Sequence, residues 1–158
     1  MADIIPINKD GFGFKQKAFI YGEYPWARIP QGTYQATFHT WSTYRYFDDH
    51  LLMVFSIIEP GNSFGTYIPA FFPVRKLKGK PETKGKFWVK PSRNLIKALH
   101  RMMPELPKLY RLDRTPMNKL FGHVYEIKVV DVTKDQDGNK HDEYGIYSKV
   151  DGANIKLL

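Results

Sequence analysis

TYQATFHTWSTYRYF, residues 33–47, is the stretch whose reading decides the fold. It is crowded with Thr, Tyr, Phe and Trp, the side chains that suit a pleated, half-buried surface. Pro30, Gln31 and Gly32 punctuate the chain just before it, so a strand begins there. Strict alternation sets Tyr34, Ala36 and Phe38 on one face, and Thr33, Gln35, Thr37, His39 and Trp41 on the other. The first face reads as buried. The second is half-polar and ends in His39 and Trp41, with Tyr44, Arg45 and Tyr46 close behind. Such a face is either a platform for stacking flat ligands or a set of packing aromatics.

Working outward, Asp48–His50 is a turn, and LLMVFSIIE (51–59) is apolar at both parities, as in a strand covered on both faces. PGNSFG (60–65) is a turn, and TYIPAFFPV (66–74) a third strand. Pro69 and Pro73 each remove a ladder donor, which points to an edge, a bulge or a sharp corner. Of the adjacent Phe71 and Phe72, one faces the core and the other does not, and the pattern leaves open which. Three strands joined by short turns make an antiparallel meander. Near the C-terminus, HVYEIKVVDVTKD (123–135) and DEYGIYSKV (142–150) read as a hairpin around Asp137-Gly138. Asp135, Asp137 and Asn139 lack the glutamate and the flanking helices of a calcium loop. DGANIKLL (151–158) is at most a final strand edge.

Between these halves lies the charge. Residues 75–114 hold 13 Lys or Arg against Glu82, Glu105 and Asp113, a net of +10 in a chain of +8. The basicity is therefore local, and a local positive field attracts phosphate backbones or anionic surfaces. Phe87, Trp88 and Tyr110 are threaded through it, which favours nucleic acid, whose unstacked bases seek flat apolar faces. Residues 75–90 show no periodicity and read as a basic loop, with KFWVK (86–90) a brief extended piece. GKPETKGK (79–86) lacks the Ser or Thr after a suitably placed Lys, and the helix, of a phosphate-binding loop. SRNLIKALHRMM (92–103) is one principal helix. Ser92 is its N-cap, and Leu95, Ile96, Leu99, Met102 and Met103 form its apolar stripe. Arg93, Lys97, His100 and Arg101 lie away from that stripe.

Residues 1–29 read as a partly ordered N-terminal arm. Its first 13 residues are expected to fray, whereas Phe14, Phe19, Tyr21, Tyr24 and Trp26 carry too much apolar surface to remain in water. They cover an edge strand or close one end of the core, or else Tyr21, Tyr24 or Trp26 adds to a binding face. Residues 30–158 form the domain. The chain has no cysteine, which removes disulfides, thiol nucleophiles and Cys-based zinc sites and is compatible with a reducing cytoplasm. No apolar run is long enough to span a membrane, and residues 1–11 do not read as a secretory signal. The five histidines form no metal-ligand spacing, and no nucleophile motif is present. The residues therefore suggest a binding module with no catalytic site, cofactor or metal. A metal-dependent nuclease is the weaker reading.

Three strands, a loop and a helix, and then a hairpin is the order of the oligonucleotide-binding (OB) fold. IPQGTYQATF (29–38), HLLMVFSIIEPGNSFG (50–65), SRNLIKALHRMM and GHVYEIKVVDVTKDQDGNKHDEYGIYSKV (122–150) together resemble the small OB-fold single-stranded DNA-binding proteins of phages and mobile elements. That resemblance implies a mainly β fold, a five-stranded antiparallel barrel with its helix between strands 3 and 4. It also implies a cytoplasmic protein that coats single-stranded DNA in replication or recombination, with replication or recombination proteins and a second copy of the chain as possible partners. Unlike the bacterial type, this chain is expected to carry no acidic tail after the barrel. In this reading Trp41, Tyr44, Tyr46, Phe87 and Trp88 stack on bases. Arg45, Arg75, Lys76, Lys78, Lys84, Lys86, Lys90, Lys97 and Arg101 meet phosphates. The alternatives are a single-stranded RNA-binding OB domain and a structural or adaptor protein whose aromatics serve an interface.

Overall fold

The computed structural model describes residues 26–46, 48–89, 93–105, 117–134, 138, 140 and 146–158. The sequence readings at residues 1–25, Ser92, Tyr110 and Asp137 lie outside these. The elements are β1 (Gly32–Tyr46), β2 (Asp48–Ile57), β3 (Tyr67–Pro73), β4 (Lys76–Leu77), β5 (Phe87–Trp88), α1 (Asn94–Met102), a 3-10 turn (Met117–Leu120), β6 (Val124–Val132) and β7 (Tyr147–Leu157).

The fold is mainly β. Five strands form one antiparallel sheet in the order β3-β2-β1-β6-β7, and β4 and β5 form a separate two-stranded ribbon. This corrects the expected OB barrel in two respects. The sheet is not closed, because β3 and β7 are its two edges and do not pair. The helix follows the ribbon, after the fifth strand in chain order, and not the third.

The open seam has a cause in β3. The Val74 N–H donates to Asp49 O on the β2 side at 3.0 Å. Backbone direction alternates along a strand, so the nitrogens of residues 69, 71 and 73 point away from β2, toward the open edge. Pro69 and Pro73 occupy two of those positions and carry no N–H, so β3 has little to offer a further strand. β7 is interrupted too: its register against β6 shifts between Ile127 and Val129.

β2 lies between β1 and β3 and is covered on both faces. Leu51, Met53 and Phe55 face the main core, while Leu52 and Val54 are equally buried on the opposite side. The main core is closed by α1, whose Leu95, Ile96, Ala98, Leu99 and Met102 are buried. Arg93, in extended conformation, precedes the helix without a side-chain cap. β7 runs on through the C-terminal residues to Leu157, and its Ile155 is part of the core. The segment before β1 is strapped alongside β7: Ser148 N donates to Ala27 O at 3.0 Å and Ile29 N to Ser148 Oγ at 2.8 Å. Trp26 and Ile29 are both buried there.

Candidate nucleic-acid interface

The Lys-rich stretch is an ordered ribbon where the sequence reads as a loop. Lys76 pairs with Trp88 and Leu77 with Phe87. Arg75 N donates to Trp88 O at 2.7 Å and Lys78 N to Lys86 O at 2.8 Å, extending the ladder at both ends. The two-residue strands are too short to show a period, yet their logic is ordinary. Leu77, Phe87 and Val89 are buried in the core, while Arg75, Lys76, Lys78 and Lys86 remain exposed.

The ribbon's tip is fastened to β1. Thr43 N donates to Thr83 O (2.8 Å), Glu82 N to Thr43 O (2.6 Å) and Thr43 Oγ1 to Thr83 O (2.9 Å). Within the tip, Thr83 Oγ1 donates to Lys80 O at 2.7 Å and accepts from Gly85 N at 3.1 Å. Glu82 takes a left-handed backbone (φ 65°) to make this turn. Gly79 and Gly85 face each other across the neck, where a Cβ on Gly79 would lie 3.1 Å from Gly85 Cα.

At the ribbon's base Asp49 binds two groups. Its Oδ1 accepts from Arg45 Nε at 2.7 Å and its Oδ2 from Leu77 N at 2.9 Å. Burial pushes the Asp49 carboxyl up, but the bonds from Arg45 and Leu77 outweigh it and leave its pKa below the ordinary carboxylate value.

The structure divides the expected phosphate contacts. Arg75, Lys76, Lys78, Lys84 and Lys86 are all exposed on the ribbon, as is Lys80, and none has a carboxylate within ion-pair distance among the described residues. Arg45 is exposed but paired with Asp49. Lys97 is exposed on α1 and is not part of the ribbon. Arg101 is a fastening: its Nε donates to Ile155 O (3.0 Å) and its Nη2 to Gly152 O (2.8 Å), tying α1 to β7. Lys90 and the side chain of Tyr46 lie outside the described residues.

The expected stacking residues fare differently. Trp41, Tyr44 and Phe87 are only 8%, 2% and 2% exposed, so none offers a ring face to a base in this structure. For Trp41 the reason is a bulge at His39. Phe38 pairs with Phe55 and Thr40 with Val54, so one residue is skipped and the faces exchange. Trp41 thereby enters the core beside Phe87, ring centroids 6.0 Å apart. Tyr44 does lie on the outer face, but it is stacked on His50 at 4.9 Å and meets the edge of Phe71.

Trp88 remains half-exposed, with the Arg75 guanidinium 4.3 Å above its ring centroid. Arg75 is itself exposed, and a guanidinium is attracted to an aromatic face and also stacks on bases. The sequence reading did not pair these two residues, because only the ribbon register brings position 75 beside position 88.

It also missed a second aromatic group on the outer face. Tyr67 and Phe71 of β3 are half-buried there, while Phe72 points into the core. The His39 ring lies 4.4 Å from Tyr67. Burial, and then the charge of Lys84, hold the His39 pKa below its ordinary value. Lys84, on the ribbon tip, is thus near enough for its charge to act on the imidazole of this pair. Among the described residues no cluster of His, Asp or Glu is arranged to hold a metal ion.

Compared with protein-family models, curated proteins and solved structures, the chain matches none.

Proposed function

We propose that the chain binds single-stranded nucleic acid, DNA foremost, with little regard to sequence and without catalysis. One observation carries this reading: six exposed cations, with no carboxylate partner among the described residues, stand on one ribbon, and one of them, Arg75, lies over the Trp88 ring. The ribbon is buried on one side and fastened to Thr43, so its cations are held on a framework that need not be ordered on binding. A phosphate backbone laid along it releases counterions, and a neighbouring base stacks on the Arg75–Trp88 surface. A B-form duplex satisfies the first contact and hides its bases from the second. A cytoplasmic setting in replication or recombination belongs to this proposal. Among the described residues no helix is long and apolar enough to cross a membrane.

The test is a titration with fluorescent oligo-dT, with a duplex of equal length and with the matched RNA. Clearly tighter binding to single strands supports the reading, and the RNA arm decides the nucleic acid. Equal affinity for single strand and duplex would reduce the ribbon to a general polyanion site.

A further inference from the structure

Opposite Lys128 on β6, strand β7 carries four residues, Asp151 to Asn154, because Ile127 pairs with Ile155 and Val129 with Val150. The bulge is closed from within. Asp151 Oδ1 accepts from Ala153 N at 3.1 Å and Oδ2 from Asn154 Nδ2 at 2.7 Å. It is gripped from the helix by Arg101, which bonds Gly152 O and Ile155 O. Beside it opens a pocket of about 200 Å³, whose lining includes Thr33, Arg101, Glu126, Lys128, Asn154 and Lys156. None of the ribbon's residues takes part.

We infer that this bulge pocket binds a phosphate group, at a site separate from the ribbon. Three of its lining residues are cations and one is an acid, and that acid, Glu126, is already engaged by Lys156 at 2.9 Å. Both oxygens of the adjacent Asp151 are occupied within the bulge, and Lys128 and Lys149 both reach its charge. Counting Asp151 and Lys149, the neighbourhood keeps a positive surplus. Arg101 is set in place by two carbonyls, which fixes its guanidinium while leaving its other N–H groups for a ligand. A fixed guanidinium, an ammonium and the Thr33 hydroxyl make a donor set suited to a tetrahedral oxyanion. The volume sets an upper limit. It falls below the roughly 300–1,000 Å³ of small-molecule sites, so it takes a phosphate group and not a whole nucleotide.

That phosphate is either free or the terminal phosphate of a strand. The full chain is titrated with inorganic phosphate at constant ionic strength, with chloride as the control, and amide shifts of Lys128, Ala153 and Asn154 are followed by NMR. The expected result is saturable binding with a Kd of about 1 mM, weakened about tenfold or more by Lys128→Ala. Thr33→Val, which disturbs no side-chain hydrogen bond among the described residues, is expected to weaken it to a smaller degree. Competition by a 5′-phosphorylated oligomer, but not by its 5′-hydroxyl twin, assigns the site to strand ends. Competition by neither assigns it to free phosphate. A lack of saturation, or wild-type affinity in Lys128→Ala, overturns the proposal. So does a parallel loss in a Lys84→Ala/Lys86→Ala variant, which would move the binding to the ribbon.

Discussion

Gly152 on β7 lies against the ring of Phe72 on β3, so closely that a Cβ on Gly152 would fall 2.7 Å from Phe72 Cε1. The two edges of the sheet thus meet through a side chain where no ladder joins them. Phe72 is 1% exposed and belongs to the core. Gly152→Ala is expected to destabilise the fold by about 1–3 kcal/mol, as overpacking does. Phe72→Leu made in that background should recover part of the loss, whereas alone it is destabilising. Denaturant unfolding of the four proteins in the cycle measures this coupling. Additive effects would mean that the edges do not bear on each other.

Asp49 joins the end of the sheet to the ribbon. Its Arg45 and Leu77 bonds hold its folded pKa below the ordinary value, so the stabilisation is present above about pH 4. It is lost as pH falls through the lowered folded value. Asp49→Asn is expected to cost about 1–3 kcal/mol at neutral pH, because the amide serves Arg45 and Leu77 less well than the carboxylate. It should also flatten the acid limb of the stability profile. Thermal melts between neutral pH and the acid limb check this, and an unchanged acid limb would remove Asp49 from that role.

The Trp41 indole is buried beside Phe87, and among the described residues its Nε1 has no hydrogen-bond partner. Trp41→Ala should therefore lower stability by roughly 3–5 kcal/mol, as large cavities in a core do. Trp41→Phe should be much milder, because no bond is lost with the indole. The folded fraction of either variant should bind oligo-dT as the wild type does. Reduced affinity in a fully folded Trp41→Phe protein would return Trp41 to the interface.

Trp41 also shows where the sequence was legible. Up to Phe38 the alternation in β1 is regular, and Ala36 and Phe38 are buried as their parity demands. The bulge at His39 has no local signature, since neither glycine nor proline marks it, and Trp41, which alternation sets on the half-polar face, falls on the core face beyond it. The doubly covered β2 was readable from its composition, because no parity in residues 51–58 is polar. The prolines of β3 pointed to an edge, a bulge or a sharp corner, and the sheet order selects the edge. What they could not announce was that the partner edge, β7, carries a bulge of its own, so the barrel was a natural but mistaken completion. The ribbon was hidden for a different reason: a strand of two residues has no period, and its charges mask the burial of Leu77, Phe87 and Val89.

His39 supplies a pH test of the interface. In the free protein, burial and then the Lys84 charge hold its pKa below 6.5. A phosphate that neutralises Lys84 removes part of that penalty, so the bound protein has the higher His39 pKa. The state with the higher pKa takes up the proton first, so affinity should rise as pH falls below about 6.5 and level off below the free value. His39→Gln should abolish this limb. Oligo-dT affinity measured from pH 8 to pH 5, with the His39 ring followed by NMR, tests both halves. Affinity that does not change over that range, with a folded protein, would separate Lys84 from the bound strand.

The ribbon itself is tested by separating charge from stacking. If Lys76, Lys78, Lys84 and Lys86 meet phosphates, each Lys→Ala change should lower the slope of log K against log salt by roughly 0.7, whatever the strand's sequence. Trp88→Ala should instead lose on the order of 1–3 kcal/mol at every salt concentration and leave the slope nearly unchanged. Arg75 belongs to both classes, because it is a charge whose guanidinium carbon lies over the Trp88 ring. Arg75→Lys keeps the charge and forfeits the plane, so it should preserve the slope and lose part of the stacking energy, whereas Arg75→Ala should reduce both. The double variant Arg75→Lys/Trp88→Ala should then lose less than the sum of its parts, since the two act as one surface. Melts of each variant guard against unfolding, because β5 carries Trp88 next to the core residue Phe87. Lysine variants that fold normally with unaltered slopes would take the ribbon out of the interface, and a Trp88→Ala protein that folds and binds as the wild type does would take out the stack.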